Sequence, residues 1–412
     1  MIIIRLLFSI GFFGIINVLN AQIIGCTDPL AINFNSNATK NDGSCIYNSA
    51  SLSAENSFIL SAVIEETSGL IYWNNFIWTH NDHDDKNLYA LKLNDIENYQ
   101  KFTLTEIINI NWEEVSQDND YLYVGDFGNN SNGNRTNLKI LRIEKKSLLS
   151  GSPVIDSISF VYSNQTDFSG TGANNTDFDC EAFIVGTDNI YLFTKQWVTQ
   201  KTGIYLLSKT PGNHIASLTA TLNVQGLITG SVYLEHQRLI ALCGYSTLLQ
   251  PFIFLLYDFL ENDFTNGNKR KIDLALPFHQ VEGITTNNGL DYYCSNEKFV
   301  HSIVTIPQKL HTLDLSPYLG EYINRIELRT EYYERNSAFK VFPNPTYNEL
   351  LIENESKGNL INLEILNTYG QVVLTKHFID KTLVFTGHLA PGFYLLKLDD
   401  GNTFAIKKII KN

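Results

Sequence analysis

A chain of 412 residues that is 44% hydrophobic, 12% aromatic and only 18% charged can build two or three cores, which excludes a generally disordered protein. Its 30 Lys and Arg against 43 Asp and Glu leave a formal charge of −13, which excludes a sequence-independent grip on nucleic-acid phosphates. With 21 Tyr, 25 Phe and a single Met at position 1, the bias favours strands, and an all-β protein is expected.

Residues 1–21 place Arg5 before an uncharged apolar run from Leu6 to Leu19 and end on Asn20 and Ala21, the order of a secretory signal peptide cut after Ala21. A membrane anchor is the alternative, but the run is shorter than the ~20 apolar residues of a spanning helix. The later apolar stretch, 248–260, is interrupted by Pro251 and Asp258 and reads as a buried strand pair, so no transmembrane segment is expected in the mature chain.

Cys26 and Cys45 bracket a short polar stretch, and in an exported protein they can close a disulfide loop that stabilises by about 3 kcal/mol. The segment from Gly25 through Cys26-Thr27-Asp28-Pro29 to Asn41-Asp42-Gly43-Ser44-Cys45 resembles the GCTDP…DDGSC modules of secreted Bacteroidetes proteins. That resemblance implies an extracellular spacer over 22–48. Asp28, Asn41 and Asp42 offer oxygen ligands for Ca²⁺, and turn chemistry is the competing explanation for them. Cys180, Cys243 and Cys294 read as buried, inert thiols, although an odd cysteine can also pair with another chain.

Between residues 57 and 318 short aromatic or β-branched runs recur, each followed by Asn, Asp or Gly: 70–79, 120–125, 189–194, 238–243 and 290–295. Their irregular spacing lies near the ~40–50 residues of blade repeats, and predicts a β-propeller of about five or six blades. A large β-sandwich is the competing architecture, but a ring exposes fewer strand edges. Polar clusters follow the runs, and Glu stands repeatedly beside an apolar neighbour, in Trp112-Glu113, Cys180-Glu181 and Val281-Glu282. In a propeller the ends of the innermost strands meet around one axis, so these clusters would converge. Glu66, Asp82, Asp126, Asp179, Glu181, Glu282 and Glu297 are the candidate ligands of a hard cation, Ca²⁺ with Mg²⁺ also open. Solvated turn residues are the competing explanation for each cluster by itself.

Glu66-Thr-Ser-Gly69, Trp78-Thr-His-Asn-Asp82, Trp112-Glu-Glu114, Gly125-Asp-Phe-Gly-Asn-Asn130 with Arg135, Asp179-Cys-Glu-Ala182 and Gln280-Val-Glu-Gly283 resemble, in order, the WTHNDSG, DWED, GDIGNN, DxEA and QxEGI blocks of a family of secreted bacterial β-propellers. This family is distantly similar to phytase-like and gluconolactonase-like propellers, and the resemblance implies fold rather than reaction. The chain departs from it at His80-Asn-Asp-His-Asp-Asp85, which lacks the glycine, so a differently shaped loop is expected after Asp82.

After an expected linker at 319–337, residues 338–412 place a Pro343-Asn344-Pro345 turn between alternating apolar stretches. Strands at 361–374, 389–398 and 403–411 follow, with turns at Tyr369-Gly370 and Asp400-Gly401. A small Ig-like β-sandwich is predicted. Its order and lysine-rich end resemble the type A C-terminal sorting domain of the type IX secretion system. That resemblance implies the secretion machinery as a partner and a destination at the outer-membrane surface or outside the cell, after passage through the periplasm.

Two functional readings stand at this level. In the first, the propeller is a binding or cation-stabilised platform, with Trp73, Trp78 and Trp197 as loop aromatics for a glycan or peptide. In the second, a channel-bound divalent cation activates water for hydrolysis of a phosphoester, ester or lactone. Glu113, Glu181 or Glu282 would then be the general base, and Lys195 or Arg135 would hold an anionic leaving group. The chain has no nucleophile elbow, His-Glu-x-x-His, P-loop or dinucleotide fingerprint. His80 and His83 are expected as surface histidines.

Overall fold

The computed structural model describes residues 22–327 and 339–412, apart from 355–357, 359, 368–370 and 400–403. The expected signal peptide and the turns at Tyr369-Gly370 and Asp400-Gly401 lie outside the described residues.

The aromatic runs are strands of a propeller, and the number of blades is five. The innermost strands are Thr67–Trp73, Trp112–Gln117, Asp179–Val185, Leu227–Leu234 and Val281–Thr286. Each lies against the next, and the fifth lies against the first, so the ring closes. Blade 1 continues outward through Phe76–Asn81, Asn87–Lys92 and Asp95–Thr103. Blade 5 takes its outermost strand, Asn56–Ile59, from ahead of blade 1, where it pairs antiparallel with Lys309–Asp314 and fastens the two ends of the ring. Blades 2 and 3 share a further link, because their outer strands Ile155–Tyr162 and Gly212–Leu222 pair in parallel.

Alternation of side chains along each strand sends apolar residues to both faces of every blade, and those faces pack blade on blade. Between blades 1 and 2 the contact is built on Trp78, Leu88, Trp112 and Leu122, and between blades 3 and 4 on Phe193, Ile228, Leu242 and Phe252. Residues 251–257 form one wholly buried strand of blade 4 rather than a strand pair, and Leu248 lies exposed in the preceding turn. The first part of the expected linker is a helix, Ser316–Glu327. Leu319, Tyr322, Ile323 and Ile326 recur at helical spacing on one face and pack into the core between blades 4 and 5.

Cys26 and Cys45 are disulfide-bonded, and the loop they close lies against blade 4. Asp28 receives hydrogen bonds from the Tyr47 hydroxyl at 2.8 Å, the Tyr257 hydroxyl at 2.5 Å and the Leu30 amide at 2.9 Å. The Asn41 oxygen accepts from the Gly43 amide while its nitrogen donates to Asn268, and Asp42 caps Ser44. The oxygen atoms expected to serve Ca²⁺ are thus acceptors in docking and turn contacts. Cys180, Cys243 and Cys294 are buried free thiols.

Residues 339–412 form a two-layer sandwich. Phe339–Phe342, Glu349–Asn354 and Lys381–Phe385 make a three-stranded sheet. Leu360–Leu366, Val372–Ile379, Gly392–Asp399 and Phe404–Lys411 make a four-stranded one. Leu350, Ile352, Ile361, Leu363, Leu396 and Ile409 are among its buried core residues.

Candidate functional site

Every innermost strand carries a β-bulge at the same level. In blades 2, 3, 4 and 5 the residue skipped by the pairing is Glu113, Glu181, Thr229 and Glu282, and in blade 1 Gly69 and Leu70 together face Thr79. A bulged residue leaves the two-residue alternation and is re-aimed. Regular pairing would send one of these carboxyl groups into the apolar contact between blades; the bulge gives it to the axis. The Glu-beside-apolar pattern in the sequence is the local signature of this device.

Three of the bulged residues share one chamber with Lys195, which ends the second strand of blade 3. The Lys195 ammonium lies 2.6 Å from Glu181 Oε2 and 3.1 Å from the Tyr245 hydroxyl, under the ring of Trp197 at 4.8 Å. Glu113 accepts a hydrogen bond from the Asn111 amide. Burial, reinforced by Glu181 and Asp179, pushes the Glu113 carboxyl well above the usual range. Burial also raises Glu181 and Glu282 well above it, against the opposing pull of Lys195. The carboxylates around Lys195 hold its ammonium charged in spite of burial.

A second tier lies at the rim between blades 1 and 5. Glu66, Asp82 and His83 offer ligand atoms that all lie within 4.8 Å of one another, and the His83 ring meets Asp82 at 2.5 Å. Glu297, at the end of the second strand of blade 5, feels Asp82 and Glu66 as well as Lys195, and burial brings its carboxyl to about 7. Burial raises Glu66 and Asp82 too. Glu282 and Glu297 repel each other and so connect the two tiers.

Other expected residues are engaged elsewhere. Asp126 is fully buried and bound by Arg135 at 2.9 Å, with Lys139 at 3.7 Å. Arg135 also donates to the Gly128 carbonyl at 2.7 Å and to Asn137 at 3.2 Å, so its guanidinium pins the loop between the second and third strands of blade 2. Asp179 accepts from the Asn129 amide at 2.5 Å and the Trp197 indole at 2.8 Å, so both its oxygens are used in holding the chamber wall.

The expected loop aromatics are likewise placed differently. Trp78 is buried between blades 1 and 2, Trp73 lies under the Lys145 ammonium at 4.9 Å, and Trp197 walls the chamber. His80 is fully buried, with burial lowering it to about 4, and only His83 is an exposed histidine of that pair. Sequence reasoning missed Tyr245 and His83 as neighbours of the carboxylates. Tyr245 follows the unremarkable run 239–244, and only its register at a strand end brings it to the axis.

Deeper in the channel, Glu114 crosses the axis from blade 2 to blade 4. Its Oε2 accepts from the Ser231 amide at 2.7 Å and its Oε1 from the Val115 amide at 3.0 Å, and burial raises it well above the usual carboxyl range. The side chain stoppers the bore below the chamber.

No curated protein matches the chain. Among solved structures it is similar to PorZ, described as an essential bacterial surface component of the type-IX secretion system of Porphyromonas gingivalis. That match has 12% identity and a TM-score of 0.29, over 85% of this chain and 46% of PorZ, so the chain spans about half of that protein. It is also similar to Myxococcus xanthus glutaminyl cyclase, at 12% identity and TM-score 0.39 over 65% of this chain and 99% of that one. A third likeness is to an exo-β-1,3-galactanase from Phanerochaete chrysosporium, at 10% identity and TM-score 0.34 over 86% and 100%. Residues 340–412 match the family described as secretion system C-terminal sorting domain, and that match supports export through the type IX secretion system to the cell surface or beyond it.

Proposed function

We propose that this chain is an exported cation-binding propeller, with a divalent cation held at the rim of the channel by Glu66, Asp82 and Glu297, and Glu282 reaching it from below. The observation that carries the reading is Glu282. It is only 6% exposed, yet its carboxyl has no hydrogen bond or ion pair among the described residues, and it faces Glu297 and Glu113. A carboxyl crowded by others in a largely buried site costs free energy either as an anion repelled by its neighbours or as an acid held against its ordinary pKa. Lys195 is bound to Glu181 and His83 to Asp82, so Glu66, Glu282 and Glu297 are left without an ion pair among the described residues. Hard oxygen donors of this kind suit Ca²⁺ or Mg²⁺.

The hydrolase alternative has less support. Arg135 is held by Asp126 and Gly128, and Lys195 by Glu181, so neither is free to hold a phosphate leaving group. Burial works against the ionised form of Glu113 and Glu282, and Glu181 is engaged by Lys195, which weakens all three as general bases.

Calorimetric titration of the chelator-treated full chain with Ca²⁺ and then Mg²⁺ tests the reading. One saturable site per chain is expected, weakened at least about tenfold in Glu282→Gln and in Glu66→Gln. A folded wild type that takes up neither ion would remove it, as would variants that bind like the wild type.

A further inference from the structure

A second charged cavity lies far from the axis in the fold's construction, where the disulfide loop meets blade 4. It has a volume of about 410 Å³ and is lined by Cys45 and Tyr47 of the loop, Gln225 ahead of blade 4, and Lys269, Arg270 and Lys271 of the outer strand Asn268–Leu274. Three consecutive cations thus border one cleft in a chain whose formal charge is −13, and Asp273 is the single acid in the lining. The volume is that of a small-molecule pocket.

Arg270 is the distinctive member. It is 9% exposed, and its guanidinium lies 4.7 Å from the ring of Tyr47 and 4.7 Å from the ring of Tyr318 on the helix Ser316–Glu327. Both rings are tethered. The Tyr47 hydroxyl donates to Asp28, and the Tyr318 hydroxyl donates to the Ser51 carbonyl. The fork is therefore stacked in a fixed plane, yet its buried Nε and Nη1 have no hydrogen-bond partner, and no carboxylate pairs with it among the described residues. A buried guanidinium edge without an acceptor is costly, and an oxyanion is the partner its geometry suits best.

The flanking lysines carry charge without a carboxylate in contact. Lys269 donates to the Thr265 and Gly267 carbonyls, and Lys271 to the Val224 and Gln225 carbonyls. Neither lysine has an ion pair among the described residues, and Lys271 lies over the Phe252 ring, on the face of the strand opposite to the rings that hold Arg270.

We propose that this cleft is a binding site for a small oxyanion, the carboxylate or phosphate group of a compact polar molecule, with Arg270 as its recognition residue. The site joins the disulfide loop, blade 4 and the helix after blade 5, so occupancy also ties these three segments together. It is independent of the cation reading at the axis.

The test is calorimetric titration of the full chain at low ionic strength with inorganic phosphate, sulfate and glucuronate as separate probes. One saturable site per chain is expected for at least one probe, and preference between phosphate and glucuronate separates the two sources of the oxyanion. Arg270→Lys keeps the charge but loses the stacked fork, and should weaken binding at least about tenfold; Lys271→Gln should weaken it only a few-fold. Should Arg270→Lys not fold, anomalous diffraction from selenate-soaked crystals of the wild type is expected to place selenium against Arg270. The proposal is overturned if no probe saturates up to about 20 mM, if Arg270→Lys binds as the wild type does, or if selenate avoids Arg270.

Discussion

The Lys195 ammonium and Glu181 Oε2 lie 2.6 Å apart with both side chains almost fully buried, at the centre of a chamber that also holds Glu113 and Glu282. Removing one member of such a pair leaves the other charge buried and unpaired, which costs far more than removing both. Lys195→Met should therefore destabilise the chain by about 3 kcal/mol or more, and adding Glu181→Gln should recover part of that loss. Urea unfolding of the two single variants and the double variant gives the coupling directly. Additive losses would mean that the pair is not coupled.

The pH dependence follows from the direction of the shifts. In the folded chain Glu297 titrates at about 7, against an ordinary value of 4.5, and Glu113, Glu181 and Glu282 are also raised. A raised carboxyl keeps its proton when the unfolded chain has already released its own. The folded state then binds more protons, and stability falls as pH rises. Chelator-treated protein should lose melting temperature between about pH 4.5 and 7, and Glu297→Gln should flatten the upper part of that fall. A melting temperature that rises through this window would contradict the assignment.

Glu114 is a structural acid in the same channel. Glu114→Gln keeps one acceptor oxygen but turns its amide NH2 toward the other backbone donor and should cost about 1–2 kcal/mol, whereas Glu114→Ala strips the acceptor from both the Ser231 and Val115 amides and leaves a cavity, at about 3 kcal/mol or more. Gly69 is expected to be equally intolerant. It has φ +49°, and a Cβ there would stand 2.5 Å from the Val115 nitrogen and 2.7 Å from Glu114 Oε1. Chemical denaturation of Glu114→Gln, Glu114→Ala and Gly69→Ala checks the order; equal stability of the two Glu114 variants would contradict it.

Deleting residues 340–412 should leave a folded propeller that stays in the periplasm of a cell with an active type IX system. The propeller has its own closed ring and blade-to-blade cores, so its melting temperature should change little. Normal appearance of the shortened chain in the medium would exclude the tail as the export signal.

Much of the ring was legible because strand runs and Glu-beside-apolar pairs are local signals. Glu113, Glu181 and Glu282 were readable as a set, since a bulge leaves its trace within three residues. The pairing of Asp126 with Arg135, nine positions on, was not legible because it depends on the course of a loop that the sequence does not specify. The blade number needed the return of Asn56–Ile59 to the last blade, a pairing across about 250 residues. The helix Ser316–Glu327 was legible in the spacing of Leu319, Tyr322, Ile323 and Ile326, but its position between two β units favoured the linker reading. The docking of Asp28 on Tyr257 left no local trace at all.

Under the cation reading, strand bulges and strand ends bring carboxylates from separate blades to one ion. Anomalous diffraction from crystals of the full chain soaked in Mn²⁺, collected at the manganese edge, tests it most directly. A single strong peak bounded by the carboxyl groups of Glu66, Asp82, Glu297 and Glu282 is expected, lost in Glu282→Gln. A peak confined to Asp28, Asn41 and Asp42, or no peak in crystals where these four carboxyl groups face only water, would contradict it.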